Sequence, residues 1–281
     1  MSRPSIVDIR EAREPITCLT CYDYLTARVM DEVGGLDMIL VGDSLGGVML
    51  GYDSTIPVTI DDMVHHTAAV NRAVKNTFLV ADFPFLEAAL GLERGVGAAR
   101  RLMQEGGAQA VKIEGGERNI ELIEHLVDHD VPVIGHLGLT PQSIEALGSY
   151  GVQARTEKNI KIIGEEAFAL QEAGISALVL ECVPEEVGSE LTDLLDLPTI
   201  GIGAGLECNG QVLVWQDMMG LTDQIPTFVR KWGEMREWLY DGVNSFCQAV
   251  KNEEFPASEE SFSVDQQLSS EHVRELLLKS R

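Results

Sequence analysis

The sequence predicts an α/β fold, a (β/α)8 TIM barrel with a C-terminal helical extension. Three observations carry that prediction. Eight short apolar runs alternate with helix-like segments, an order that builds a parallel sheet with helices outside it. Four of those runs end in an acid, at Asp43, Asp82, Glu114 and Glu181. The glycine run Gly201-Ile202-Gly203-Ala204-Gly205 comes late and lacks the third spacing, whereas a Rossmann fingerprint follows the first strand.

Taken in order, residues 16–21 read as the first strand. Residues 22–33 read as a helix stopped by Gly34-Gly35. The second strand, 38–41, is a run apolar enough to be buried on both faces. Gly42, Asp43 and Ser44 follow it at once, then a glycine-rich loop through Pro57. Thr59 can cap the next helix, with Asp62 at the capping-box position. That helix carries His65 and His66, whose side chains project about 100° apart and so cannot both face one ligand well. No third ligand lies at metal spacing, which favours structural or surface roles for both.

Strand three is 77–81, and its following helix runs to about 105 before Gly106-Gly107. Strand four is 110–113, with Glu114-Gly115-Gly116 after it and a helix through 129. Strand five is 131–135, with His136 at its end. The loop from there to Arg155 is long enough for a lid. A helix over 158–173 leads to strand six, 177–180. A helix over 185–194 leads to strand seven, 199–202. The loop Gly203-Ala204-Gly205 suits either room for an anion or substrate, or a tight turn. Strand eight is 211–214. Beyond residue 225 a helix over 228–250 carries Trp232, Trp238, Tyr240 and Phe246, more aromatic surface than an outer helix needs. Residues 1–251 are therefore assigned to the barrel and its outer helix. Residues 252–281 are assigned to an acidic linker and a last amphipathic helix with Leu268 and Leu276-Leu277-Leu278 on its apolar side. Such a helix is marginal alone, so an oligomer contact is its expected use.

The totals agree with one large core. The chain has 281 residues, 45% of them hydrophobic, and no apolar run approaches the ~20 residues that span a membrane. Met1-Ser2-Arg3-Pro4 opens no apolar signal region, so the cytoplasm is expected. A formal charge of -24 argues against nucleic acid as a partner. An acidic shell with only seven lysines among 21 basic residues fits a salt-adapted, halophilic protein. Five scattered cysteines suit reduced thiols. Cys18-Leu19-Thr20-Cys21 is formally a CxxC, but in a strand residues three apart face opposite sides, and no second CxxC exists.

The C-terminal rim of a barrel holds its site, so Asp43, Asp82, Glu114, His136 and Glu181 are expected to converge there. A single strand-end acid can simply cap a helix N-terminus. Four weaken that explanation, and Lys112 weakens it further. It lies two residues before Glu114, on the same face, and on an inward face it is a buried cation aimed at an anion. Carboxylates with water-filled positions suit Mg²⁺. Such an ion chelates a 2-oxo acid and acidifies the neighbouring carbon, and a carboxylate away from the metal then serves as general base. Glu181 fits that role by position, although composition does not rank it above the other acids.

Several runs of this chain are closely similar to one family. They include Val41-Gly42-Asp43-Ser44-Leu45-Gly46, Val111-Lys112-Ile113-Glu114-Gly115-Gly116, Gly135-His136-Leu137-Gly138-Leu139-Thr140-Pro141-Gln142, Leu180-Glu181-Cys182-Val183-Pro184 and Ile200-Gly201-Ile202-Gly203-Ala204-Gly205. Together, from about residue 16 to 255, they resemble ketopantoate hydroxymethyltransferase. The resemblance implies an enzyme of pantothenate and coenzyme A synthesis, moving a one-carbon unit from 5,10-methylenetetrahydrofolate or a related pterin to 3-methyl-2-oxobutanoate through a metal-stabilised enolate. It implies Mg²⁺ held by Asp43, Asp82 and Glu114, the last through water. It places Ser44 and Lys112 on the substrate carboxylate, His136 in the pocket wall and Glu181 as the base, with Asp43 and Asp82 also meeting the substrate. It further implies a homo-oligomer, typically a decamer, whose C-terminal helices pack on neighbouring subunits. Two departures stand out. Ala154 precedes Arg155 where the family commonly has glycine, so that loop is expected to move differently. The tail beyond Phe262 extends past where many members stop.

Two rivals remain on the residues alone. A carbon–carbon lyase or mutase of the isocitrate lyase and phosphoenolpyruvate mutase type shares barrel, Mg²⁺ and 2-oxo acid chemistry, but wants a catalytic cysteine in a Lys-Cys-Gly-His-type loop that this chain lacks. A silent acidic scaffold would have no reason to keep Lys112 and Glu114 on an inward face.

Overall fold

The computed structural model describes residues 3–148, 151–264 and 268–280. The chain divides into two compact units, Met1–Trp232 and Gly233–Arg281. In the first, eight parallel strands close into a barrel in sequence order. They are β1 (Ile16–Thr20), β2 (Met38–Val41), β3 (Phe78–Asp82), β4 (Ala110–Glu114), β5 (Val133–Gly138), β6 (Ala177–Glu181), β7 (Thr199–Ile202) and β8 (Gly210–Leu213), with β8 pairing back onto β1.

The period of two along each strand sorts the interior into levels. Cys18, Met38, Leu40, Phe78, Val80, Ala110, Ile134, Val179, Ile200 and Val212 form one buried apolar cluster, joined by Ile9 from the N-terminal helix Ile6–Arg10. Each large aliphatic side chain buried there contributes about 1.5–3 kcal/mol. Two residues further along the same inward face, the apolar levels give way to charge. Val80 is followed by Asp82, Ala110 by Lys112 and then Glu114, Ile134 by His136, and Val179 by Glu181. The hydrophobic plug is thus the floor on which the polar groups stand.

Most elements fall where the residues put them, with shifts that have local causes. Thr59 and Asp62 form the capping box of helix Ile60–Asn71. The helix after β1 starts at Tyr24, because the Asp23 side chain accepts from Thr26 N and caps it there. The segment before Gly106 is a helix, Leu92–Arg100, that widens into a π turn over Arg101–Glu105. β5 is displaced towards the C-terminus, so His136 sits inside the strand and not at its end. The cause is pairing with both neighbours, since His136 aligns with Glu114 on β4 and with Val179 on β6. The loop after β5 opens with short turns of helix, Pro141–Ser143 and Ile144–Leu147. The chain bends at Gly203-Ala204-Gly205. Gly203 and Gly205 both have positive φ, and a side chain on them would run into Phe228 and Glu185. Ala154 has φ 51, a left-handed conformation that costs an L-residue energy and suits glycine. The five cysteines are free thiols.

Asp31 ties the helix Tyr24–Val33 to the start of β3. Its carboxylate accepts from the backbone of Lys75 and Asn76 at 2.9 and 2.8 Å and from the Thr77 hydroxyl at 2.9 Å. Burial alone would raise this carboxyl, but the donors outweigh it and hold it below its ordinary value. Its stabilisation is therefore complete above the unfolded carboxyl value of about 3.9 and is lost as pH falls through the lower folded value. Asp31→Ala should cost about 3 kcal/mol in urea unfolding at pH 7, and the gap from wild type should narrow near pH 3. An unchanged midpoint at pH 7 would show that the donors find water instead.

The second unit contains helix Met235–Lys251, a short turn at Ser258–Glu260 and helix Ser270–Lys279. The first helix starts later than residue 228, and the last one starts after 264. The Phe246 and Phe255 rings meet edge-on at 5.6 Å. Trp238, Tyr240 and Phe246 on the first helix and Leu276, Leu277 and Leu278 on the last are exposed.

Candidate active site

At the C-terminal rim the charged ends of the inward faces touch. Lys112 Nζ lies 3.0 Å from Asp82 Oδ1 and 3.1 Å from His136 Nδ1. The His136 ring stands between two acids, with Nδ1 3.3 Å from Glu114 Oε1 and Nε2 3.3 Å from Glu181 Oε2. The Asp43 backbone N–H donates to Asp82 Oδ2 at 3.1 Å, which places the ends of β2 and β3 together. Gly42 permits that approach, since a Cβ there would lie 2.8 Å from Ser44 Oγ and 3.4 Å from Asp82 Oδ2. The Ser44 hydroxyl is 2.8 Å from that of fully buried Tyr22.

The convergence of Asp43, Asp82, Lys112, Glu114, His136 and Glu181 on one rim matches the strand-end pattern in the sequence. Two participants carry no such pattern. Gln142, from the loop after β5, donates its side-chain amide to Asp43 Oδ2 at 2.8 Å and to the Phe83 carbonyl at 2.7 Å. Its backbone N–H donates to Glu114 Oε2 at 3.2 Å. One residue thus holds three strand ends, and only its place in the run ending Thr140-Pro141-Gln142 could have flagged it. Tyr22, directly after the first strand, is the other. His66 Nδ1 lies 2.7 Å from the Tyr22 carbonyl.

Charge is out of balance here. Four carboxylates face one lysine and one histidine. Burial, then the charges of Glu114 and Asp82, push the Asp43 carboxyl well above the usual range. Burial also raises Asp82, although Lys112 opposes it. Burial would raise Glu114 too, but His136 and Lys112 outweigh it and leave that carboxyl low. Burial and the adjacent ammonium depress His136, yet Glu114 and Glu181 lift it to about 9. Burial likewise works against the Lys112 ammonium, and the surrounding carboxylates win and raise it. Asp82 Oδ1, Glu114 Oε1 and His136 Nε2 are buried and meet ion-pair partners, Lys112, His136 and Glu181 in turn, without a well-formed hydrogen bond.

Among the described residues no three His, Cys, Asp or Glu side chains enclose a metal position by themselves. Asp43, Asp82 and Glu114 are buried carboxylates at this rim, the oxygen donor type that a hard divalent cation takes. Cys182, next to Glu181, is held towards the neutral thiol. Burial, then the Glu181 charge, raises its thiol to about 11, and the reactive form is the thiolate.

A closed parallel barrel whose rim gathers buried carboxylates around one buried lysine is the architecture of an enzyme acting on a small anionic substrate. The family model for ketopantoate hydroxymethyltransferase matches residues 1–258, and the chain belongs to that family. It is 49% identical over 261 residues to the 3-methyl-2-oxobutanoate hydroxymethyltransferase of Koribacter versatilis, covering 92% of this chain and 88% of that one. It is 50% identical over 254 residues to the protein of that name from Thermobifida fusca, covering 90% of each. In fold it is similar to phosphoenolpyruvate phosphomutase from Streptomyces platensis subsp. rosaceus, with a TM-score of 0.60, 15% identity and coverage of 99% and 98%. It is also similar to phosphonopyruvate hydrolase in complex with oxalate and Mg²⁺, with a TM-score of 0.57, 12% identity and coverage of 95% and 91%.

Proposed function

We propose that this chain transfers a hydroxymethyl unit to 3-methyl-2-oxobutanoate, giving 2-dehydropantoate, with 5,10-methylenetetrahydrofolate or a related pterin as donor and Mg²⁺ as cofactor. Family membership supports the reaction. The single structural observation that carries the assignment of roles is the surplus of buried carboxylate around Lys112, next to a fourth carboxylate that is more open. The Glu181 side chain is 16% exposed, against 3% for Asp82 and Glu114.

Asp43 and Asp82 would hold the metal, and Glu114 would join them through water. Once bound, a hard divalent ion polarises the keto oxygen of a 2-oxo acid and acidifies the adjacent C–H. The Lys112 ammonium and the Ser44 hydroxyl bind the substrate carboxylate, Ser44 being oriented by Tyr22. Glu181 accepts the proton from the carbon next to the keto group. The electron pair left on that carbon forms the new bond to the carrier's methylene carbon. One carbon–nitrogen bond of the carrier breaks in that step and the second breaks as water supplies the hydroxyl oxygen, each pair returning to its nitrogen. The two nitrogens take up the proton held by Glu181 and the proton released by water. His136, with Nε2 3.3 Å from Glu181 Oε2, holds that carboxylate aimed inwards.

Asp82→Asn tests the metal assignment. It removes one charge from a hard oxygen site, so divalent-ion binding by calorimetry should weaken at least about tenfold and turnover should fall with it. Wild-type turnover that survives exhaustive chelation would remove the metal from the mechanism. The exposed apolar side chains of the second unit suit a homo-oligomer, and a decamer is the proposed state. Light scattering at micromolar concentration should then report a mass several times that of one chain, and a monomeric mass would end the proposal.

A further inference from the structure

A cavity of about 220 Å³ opens beside the rim, lined by Phe83, Phe85, Ile113 and Ala146, and reaching Glu114 and Gln142. Ser44, Lys112 and Glu181, which bind and deprotonate the 2-oxo acid in the function proposed above, are not part of its lining. It therefore adjoins the reacting centre without being used by that substrate. Its size falls below the ~300–1,000 Å³ of sites that enclose a whole drug-sized ligand, so it suits one ring system with the rest of the molecule outside.

The lining also has the chemistry of a ring site. Two phenylalanines and an isoleucine offer flat apolar surface. The polar groups are few and fixed. Asn119, 5% exposed, commits its amide nitrogen to the Glu114 carbonyl at 2.8 Å, and its side-chain oxygen remains to receive a donor. Glu114 closes the inner end, with Oε1 held at 3.3 Å from His136 Nδ1 and Oε2 accepting the Gln142 N–H. Arg118 Nη2 donates to Ser143 Oγ at 3.3 Å and so links the turn after β4 to the turn after β5 across the lining. Apolar faces with a fixed acceptor on one side suit a planar nitrogen heterocycle that carries an N–H on its edge.

We propose that this cavity seats the heterocycle of the one-carbon carrier, with its N–H-bearing edge towards the Asn119 side-chain oxygen. The proposal rests on the function given above, and the test separates the two. Ala146 lies on the short helix Ile144–Leu147, where Ala146→Trp would fill the cavity from its exposed side. Hydrogen–deuterium exchange at the carbon beside the keto group of 3-methyl-2-oxobutanoate needs no carrier. Full transfer from 5,10-methylenetetrahydrofolate does. The variant should exchange within about twofold of wild type, while its KM for methylenetetrahydrofolate rises about tenfold or more. Exchange also reports that the variant is folded. An unchanged KM with normal exchange would overturn the cavity's role and leave the function standing. Wild-type protein that turns over neither exchange nor transfer would overturn the function and this inference with it.

Discussion

Glu181→Gln should lower solvent deuterium exchange at the carbon beside the keto group by ~10²–10⁴, the usual weight of a general base. The amide keeps the shape of the acid and can still face His136 Nε2, which lies 3.3 Å from Glu181 Oε2. It cannot accept the proton. Metal and substrate binding should change far less, because neither contact is removed. Asp43→Asn should instead lose exchange together with metal binding. The two variants therefore separate a base from a ligand in one assay, run with metal and 3-methyl-2-oxobutanoate and no carrier. If Glu181→Gln exchanges at the wild-type rate, the base is another group, and His136 is the next to test.

Lys112→Met should have the largest effect on the fold. The lysine is buried against Asp82 at 3.0 Å and within reach of the Glu114 and Asp43 charges. Removing one partner of a buried ion pair strands the other, at a cost of about 3–5 kcal/mol. Methionine fills nearly the same volume, so a cavity contributes little to the loss. The pH dependence identifies the cause. Asp43 and Asp82 already have carboxyls raised above the unfolded value, and losing the ammonium raises them further. A group raised on folding gives its stability below the unfolded value and loses it as pH rises through the folded one. The deficit of Lys112→Met should therefore be larger at pH 8 than at pH 5 in guanidinium unfolding. An equal deficit at both would mean that packing, and not stranded charge, is what the lysine supplies.

Much of this site was legible in the residues because the governing rule is local. In a strand, alternate side chains share a face, so Lys112 and Glu114 point the same way wherever the strand lies. The same rule puts Asp82 above Val80 and Glu181 above Val179. The apolar runs and the glycines behind them were enough to predict eight strands and a closed barrel, and barrel closure sends all the strand ends to one rim. The Thr59 capping box was legible for the same reason, since it spans four residues.

What the tertiary structure alone decided involves partners far apart in the chain. Gln142 reaches Asp43 across 99 residues, and nothing in the spacing of either residue foretells it. The path of the loop after β5 sets that contact. Tyr22 finds Ser44 only because β1 and β2 pair in the register Cys18 to Met38. His136 belongs inside β5 because hydrogen bonds to β4 and β6 extend that strand past the glycine that looked like its end. The choice of Glu181 as the open acid follows from burial, which depends on every neighbour at once. Local sequence determines which face a side chain takes and where a helix starts. Charge imbalance, strand length and exposure depend on contacts between segments, and those exist only once the barrel has closed.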